Sequence, residues 1–503
     1  MTPKKQFVPS TFLFGIFLLL SSCSRQYVPD TTYSVEQIKQ DFKLMRHALE
    51  ESHPGIYRYT SPDSIRWVFE QTEKLLNHPM TELEFRRTVN PIFSYIRCGH
   101  TDIYPSKGYS KYIKKNKPKE FPLGLYYVEN KLRILQNRTD DTTLVVGTEV
   151  VSIDGQPAAD IVAKMRQLVP SDGYNQTFKT TVINGNFGGF YRYLYGNKET
   201  FEITVQDSLG RKRGLKLSFN KPPKPTKKAS VPAKPASNQP PKTPVATPKL
   251  MVKTNPKLRT LKQSEKDSTV AILDINTFSD DRYRRFYRRS FKALKTQNIK
   301  HLIIDLRANG GGKSDASINL MSYLLDSDYT VYDTAAALTL RPSYQHYYGH
   351  KFPRFFTRYF WSKKLPDGRR SSRSAQRVQK PTRRYGFKGQ VYLLTNGGSF
   401  SAAAIFPSMI QQYNPRAVVI GRETGGGRHG CNAFISPYLT LPHTQAKVRI
   451  PVFKLVLNIP GADIGHGVQP NFPIEYRFED VRKARDLDVE RAYELINASK
   501  SKK

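Results

Sequence analysis

Cysteine is nearly absent, with three in 503 residues, too few for a disulfide framework or for a zinc ribbon that needs four. Acid is scarce too: 42 Asp and Glu stand against 80 Lys and Arg, a formal net charge of +38. A surplus of that size is the signature of an anionic counterpart, whether nucleic acid, anionic lipid or an acidic polymer. Long hydrophobic runs are missing except at the start of the chain, and no repeat of supersecondary length recurs. Global disorder is excluded, because 38% apolar and 12% aromatic residues suffice to bury a core. At about 100–200 residues per domain the length allows two to four domains.

The one apolar run decides the compartment. Lys4 and Lys5 precede an apolar stretch at 12–20, the charged and hydrophobic regions of a secretory signal, too short for a spanning helix. Its end, Leu20-Ser21-Ser22-Cys23, resembles a bacterial lipobox, which implies a signal peptide at 1–22 and lipidation of Cys23. Ordinary cleavage nearby is the alternative. Ser24 rather than Asp follows the cysteine, which by analogy with enterobacterial sorting points to the outer membrane, facing the periplasm. Export removes chromosomal DNA from the counterparts of the charge and leaves anionic lipid or cell-wall polymer. Residues 351–388 concentrate that charge, with 13 Lys and Arg against Asp367 alone. A solvated, partly disordered insertion is the bland account of them.

Composition then divides the mature chain. A polar tether at 23–33 precedes a helical unit at 34–105, opened by Ser34 with Gln37 three residues on, a capping box, and by Ile38, Phe42, Met45 and Leu49 at helical spacing. Thr81 and Glu84 repeat the box, and a further helix is expected over 62–76. From 119 to 219 the period shortens to strands at 121–127, 132–135, 201–205 and 215–219. Val146-Gly147-Thr148-Glu149-Val150-Val151-Ser152-Ile153-Asp154-Gly155, with a helical stretch at 159–168, resembles the strand–turn segment of PDZ domains, which capture extended peptides by strand addition. A β-domain that only spaces its neighbours would read the same way. Residues 220–260 are a linker; 221–259 hold ten prolines, ten Lys or Arg and no acid, a composition that stays extended. The last unit, 268–490, alternates buried strands (269–275, 301–306, 390–395, 417–421) with helical segments, which indicates an α/β core.

Two strand-to-helix junctions in that core carry chemistry. Asp305-Leu306-Arg307-Ala308-Asn309-Gly310-Gly311-Gly312-Lys313-Ser314 exposes backbone N–H groups before a helix, suited to an anion. It is not a nucleotide-binding P-loop, which needs glycine where Arg307 stands. An oxyanion site or a merely tight turn remains. Asn396-Gly397-Gly398-Ser399-Phe400-Ser401-Ala402-Ala403-Ala404 places Ser401 at a helix start, either presenting its hydroxyl beside free N–H groups or only capping the helix.

Together with Gly421-Arg422-Glu423-Thr424-Gly425-Gly426 and Gly467-Val468-Gln469-Pro470-Asn471, these segments resemble the C-terminal processing, or tail-specific, protease family. The resemblance implies an α/β fold: a ClpP/crotonase-like spiral ββα core with an N-terminal helical domain and an inserted PDZ-like domain. It implies Ser401 as nucleophile and the N–H groups of Ala402 and of Gly311 or Gly312 as the oxyanion hole. The family's bacterial processing proteases place a lysine about 25 residues after the serine, where Gly425, Gly426 and Gly427 stand here. Arg428 cannot serve as a base, because arginine keeps its proton. Gly99-His100-Thr101 in the helical unit instead resembles the tricorn core protease branch, which implies His100 as general base and a carboxylate fixing its tautomer. Asp463 is the best match for that acid, one position out of register, with Glu423 the runner-up. Thr101, His429 and His466 are pocket-lining residues without an assigned role.

Cys98 and Cys431 could form a disulfide or remain two buried thiols. The expectation is a lipid-anchored serine endopeptidase that needs no metal, nucleotide or other cofactor, acts on peptide or protein substrates and has no nucleic-acid partner. The alternative is a catalytically inactive peptide- or cell-wall-binding lipoprotein, which Ala404 in place of the family's glutamate keeps open.

Overall fold

The computed structural model describes residues 27–219, 250–253, 255, 257–349 and 362–501. The expected signal segment with Cys23 and most of the linker at 220–260 lie outside them.

Both capping boxes start the helices they were read to start. The Ser34 hydroxyl accepts from the Gln37 N–H and the Gln37 side chain takes the Ser34 N–H in return, opening the helix Val35–Ser52; Thr81 and Glu84 do the same for Glu82–Val89. Each box satisfies N–H groups that a helix start leaves unpaired. With the ends fixed, Ile38, Phe42, Met45 and Leu49 face inward and are fully buried. Pro62–Leu75 and Pro91–Ile96 complete this helical layer. Its apolar side runs without a break into the C-terminal core.

That core is built on a seven-stranded sheet in the order Leu250–Lys253, Arg259–Gln263, Val270–Ile275, His301–Asp305, Gln390–Thr395, Ala417–Gly421, Phe472–Pro473. The first two pairings are antiparallel and the rest parallel. The parallel strands are nearly continuous runs of Val, Ile and Leu because helices cover both faces. Tyr283–Thr296 and Ala402–Tyr413 join the main core, and Leu487–Lys500 closes a smaller cluster around Ile303, Leu394 and Ile420. Arg307 pins this last helix to the loop after His301–Asp305, bonding Asp305, Asp486 and Asp488 at 2.6–2.8 Å.

A second sheet joins Ser362–Lys364, Arg370–Ser372, Tyr332–Ala337, Phe453–Leu457 and Asn432–Ala433. The described part of the basic stretch, 362–388, is therefore partly folded into strands. Arg370 Nε donates to Ser362 Oγ at 2.8 Å and Arg373 Nε to the Ser362 carbonyl at 3.3 Å, so some of its charge ties the sheet together. A third sheet pairs Tyr438–Thr440 with Lys447–Arg449 and the latter with Asp102–Tyr104, fixing the end of the helical unit to the core.

Residues 121–218 have their own hydrophobic cluster. An antiparallel sheet runs Leu123–Val128, Lys131–Asn137, Glu149–Ile153, Thr200–Gln206, Lys212–Ser218, with the first strand at an edge. The helix Ala158–Leu168 falls where the sequence placed one. Thr177–Gly185 and Phe187–Tyr195 were not legible, since their Thr, Asn and Gly content is poor for helix. Asn175 Oδ1, just ahead of the first, accepts from the Phe178 N–H at 2.8 Å, and buried Ile183, Phe187 and Tyr191 outweigh the propensity.

Candidate active site

The strand Gln390–Thr395 ends in a turn tied to the glycine loop of the neighbouring strand. Ser399 Oγ donates to the Leu306 carbonyl at 3.0 Å, the Phe400 N–H to the Asn309 carbonyl at 3.1 Å, and the Gly398 N–H to Asn396 Oδ1 at 2.7 Å. Ser401 follows at φ 57°, ψ −124°, a region that non-glycine residues enter at a cost of about 1–3 kcal/mol and that clusters at functional sites. Although it precedes the helix Ala402–Tyr413, its side chain makes no capping bond. The hydroxyl instead stands 3.1 Å from His100 Nε2.

His100 is delivered by the loop after Pro91–Ile96, which turns through Arg97 at φ 56°. The strand pairing of Asp102–Tyr104 with Lys447–Arg449 brings Arg449 under the loop, where Nε donates to the His100 carbonyl at 2.6 Å and Nη2 to that of Gly99 at 3.2 Å. Phe400 stacks on the imidazole with centroids 4.7 Å apart, and Phe178 stacks on Phe400 at 4.7 Å. Burial, helped by the Arg449 charge, pushes His100 down to about 3, so the ring is neutral at working pH. For Nε2 to accept the serine proton, Nδ1 must carry the ring's own. Nδ1 is buried and has no hydrogen-bond partner.

Neither expected acid is bonded to that nitrogen. Asp463 pairs with Arg58 at 2.7 Å and accepts from the Tyr59 hydroxyl at 2.9 Å and the Gly465 N–H at 3.1 Å. Burial opposes its charge, yet Arg58 and these bonds hold it below the usual carboxylate range. Glu423 Oε1 accepts from the Gly467 N–H at 2.7 Å and lies 3.2 Å from His466 Nδ1. The carboxylate beside His100 is Asp172. Its oxygens accept from the N–H groups of Gly99 at 2.9 Å and Gly427 at 3.4 Å. Asp172, Cys98 Sγ and a ring nitrogen of His100 all lie within 4.8 Å of one another. Burial raises Asp172 to about 6, against the pull of the Gly99 bond and the Arg58 charge. Nothing in Ser171-Asp172-Gly173 distinguishes it in the sequence from an ordinary turn.

The glycine loop packs against the serine. A Cβ on Gly311, at φ +100°, would fall 2.7 Å from Ser401 Cβ and 3.2 Å from the Ala402 nitrogen. The Gly311 N–H is given to Asn309 Oδ1 at 2.9 Å. The N–H groups of Ala402 and Gly312 make no hydrogen bond among the described residues. Of the other sequence candidates, Thr101 Oγ1 bonds His53 Nε2 at 2.7 Å, His429 is buried with both ring nitrogens unpartnered, and His466 holds Glu423. Cys98 and Cys431 are buried, separate thiols.

Residues 269–474 match the family model of Peptidase family S41. The crystal structure of mature CPAF superposes with a TM-score of 0.57 at 14% identity, over 90% of this chain and 94% of that one. Mature CPAF complexed with lactacystin gives 0.58 at 14% identity, over 92% and 97%. At that identity the likeness is one of fold. The matched segment carries five of the seven strands of the central sheet, the glycine loop and the Ser401 turn, and over that segment the chain is similar to Peptidase family S41.

Proposed function

We propose that the chain is a serine-type endopeptidase of the tail-specific, tricorn-like kind, cleaving peptide bonds through an acyl-serine. The observation that carries this is the 3.1 Å approach of neutral His100 Nε2 to Ser401 Oγ. As Oγ attacks a peptide carbonyl, Nε2 takes its proton and then returns it to the leaving amine. Water deacylates the serine by the same exchange. The developing oxyanion is received by the Ala402 N–H and one from the glycine loop, each such donor contributing roughly 2.7–4 kcal/mol to the transition state. Histidine as base favours the tricorn-like branch over the Ser–Lys branch. We assign the acid's part, stabilising the imidazolium, to Asp172 in place of Asp463.

The element order fits the ClpP/crotonase-like spiral ββα core, and the 119–219 unit fits a PDZ-like insert. Its edge strand Leu123–Val128 and the helix Phe187–Tyr195 flank a groove lined by Leu123, Leu125, Gly188, Arg138 and Arg192. An extended substrate tail adds to that edge in this reading, its carboxylate near the arginines. The protein acts in the cell envelope, anchored through lipidated Cys23. The exposed side of Tyr283–Thr296 bears Arg284, Arg285, Arg288, Arg289 and Lys292, a face suited to anionic lipid or cell-wall polymer. The second reading, a silent binding protein, is favoured by the one nitrogen of His100 that no carboxylate holds.

Fluorophosphonate labelling of the mature chain decides between them. Labelling lost in Ser401→Ala and in His100→Ala, both folded, supports the peptidase. Labelling that survives Ser401→Ala names another nucleophile, and an unlabelled folded wild type supports the binding protein.

A further inference from the structure

Cys98, His100 and Asp172 form a compact set of donors around the candidate site. Their ligand atoms lie within 4.8 Å of one another, Cys98 and Asp172 are buried, and His100 Nδ1 is a buried nitrogen without a partner. Zinc bonds at about 2.0–2.3 Å to thiolate, imidazole and carboxylate, so the three reach a common centre with shifts on the order of an ångström. A thiol, an imidazole and a carboxylate are a donor set of soft and borderline character, which selects zinc over magnesium or calcium.

We propose that Cys98, His100 Nδ1 and Asp172 form a zinc site that switches the peptidase off. Zinc displaces the Cys98 thiol proton to solvent. It takes the Nδ1 lone pair, so the ring's proton must sit on Nε2. That nitrogen then donates towards Ser401 Oγ and has no lone pair left to receive the serine proton. The inhibition rests on His100 being the base of the proposed peptidase; the binding does not.

The test uses the folded mature chain, kept reduced with a phosphine so that the thiols neither oxidise nor lose zinc to a dithiol. Zinc stoichiometry is read by competition with a chromophoric chelator, and the first-order rate of fluorophosphonate labelling is followed against buffered free zinc. One zinc per chain is expected, with labelling slowed at least tenfold at saturation and restored by a chelator. Cobalt in the same site gives the near-ultraviolet charge-transfer band of a thiolate ligand, a readout that needs no variant. Cys98→Ser removes that band and shifts the zinc inhibition curve at least tenfold to higher metal. No bound zinc, a cobalt spectrum without thiolate ligation, or zinc inhibition unchanged in Cys98→Ser overturns the proposal. A wild type that never labels but still binds one zinc through thiolate would remove the peptidase reading and the inhibitory role, and leave the site.

Discussion

His100 Nε2 and Ser401 Oγ meet at 3.1 Å although 301 positions separate them in the chain. The serine reaches that point in a backbone conformation that side chains rarely adopt, φ 57° and ψ −124°. Glycine occupies such regions with little penalty. Ser401→Gly is therefore expected to abolish labelling while raising stability by about 1–3 kcal/mol. Chemical denaturation beside the labelling assay checks both halves. A destabilised Ser401→Gly would mean that the turn is not strained.

Asp172 sets the expected pH dependence. His100 stays neutral down to about 3, whereas Asp172 takes up its proton near 6. Activity should fall as pH drops through about 6, when the charge facing the imidazolium is lost. Asp172→Asn should lower kcat by about 10²–10⁴-fold and erase that limb from the profile of kcat/KM. Asp463→Asn should leave the limb in place.

The same carboxyl has a stability signature of the opposite direction. Its folded pKa of about 6 exceeds the ordinary value of about 3.9, so the folded state binds the proton more tightly. The stabilisation is complete below the unfolded value and disappears as pH rises through about 6, amounting to at most about 3 kcal/mol. Denaturant titrations at pH 5 and pH 8 should differ less for Asp172→Asn than for the wild type, in the sense of a smaller alkaline loss.

Phe400 is the support of the histidine ring. Replacing it with leucine keeps the apolar volume but removes the stacked face between His100 and Phe178. Misplacement of a reacting group by about an ångström costs on the order of 10²-fold in rate. Phe400→Leu should lower kcat by tenfold or more with KM little changed. An equal fall in binding and turnover would show instead that Phe400 touches substrate.

Arg307→Met should be among the most destabilising single changes. It leaves Asp305, Asp486 and the buried Asp488 without their shared cation. Breaking a buried ionic cluster from one side costs about 3–5 kcal/mol. Urea unfolding gives the loss, and hydrogen exchange should show it first in Leu487–Lys500.

The parts of the site that depend on local chemistry could be read from the sequence. The glycine loop, the small residues after Ser401 and the Gly99-His100-Thr101 segment marked a candidate nucleophile, donors and base, because turns and helix starts constrain residue type position by position. The carboxylate beside His100 was illegible for a physical reason. A carboxylate works by distance to one nitrogen, and Asp172 arrives beside His100 through the packing of a turn that follows Ala158–Leu168. Asp463 looked better placed along the chain, but Arg58, some 400 residues away, claims it. The use of the Gly311 N–H by Asn309 was equally hidden, since three consecutive glycines look alike until the turn is built. Fold elements followed the same division. Capped helices and apolar strands were visible, whereas the pairing of Asp102–Tyr104 with Lys447–Arg449 joins segments that carry no mutual signal.

That last pairing ties the candidate site to two distant parts of the chain. The loop bearing His100 is held in part by Arg449, which is 349 positions further along the chain and lies in the strand paired with Asp102–Tyr104. A chain synthesised only as far as Ser401 lacks that support for His100. On the proposed reading of His100 as base, hydrolytic capacity would follow the order of assembly, arising only once both ends of the chain have met.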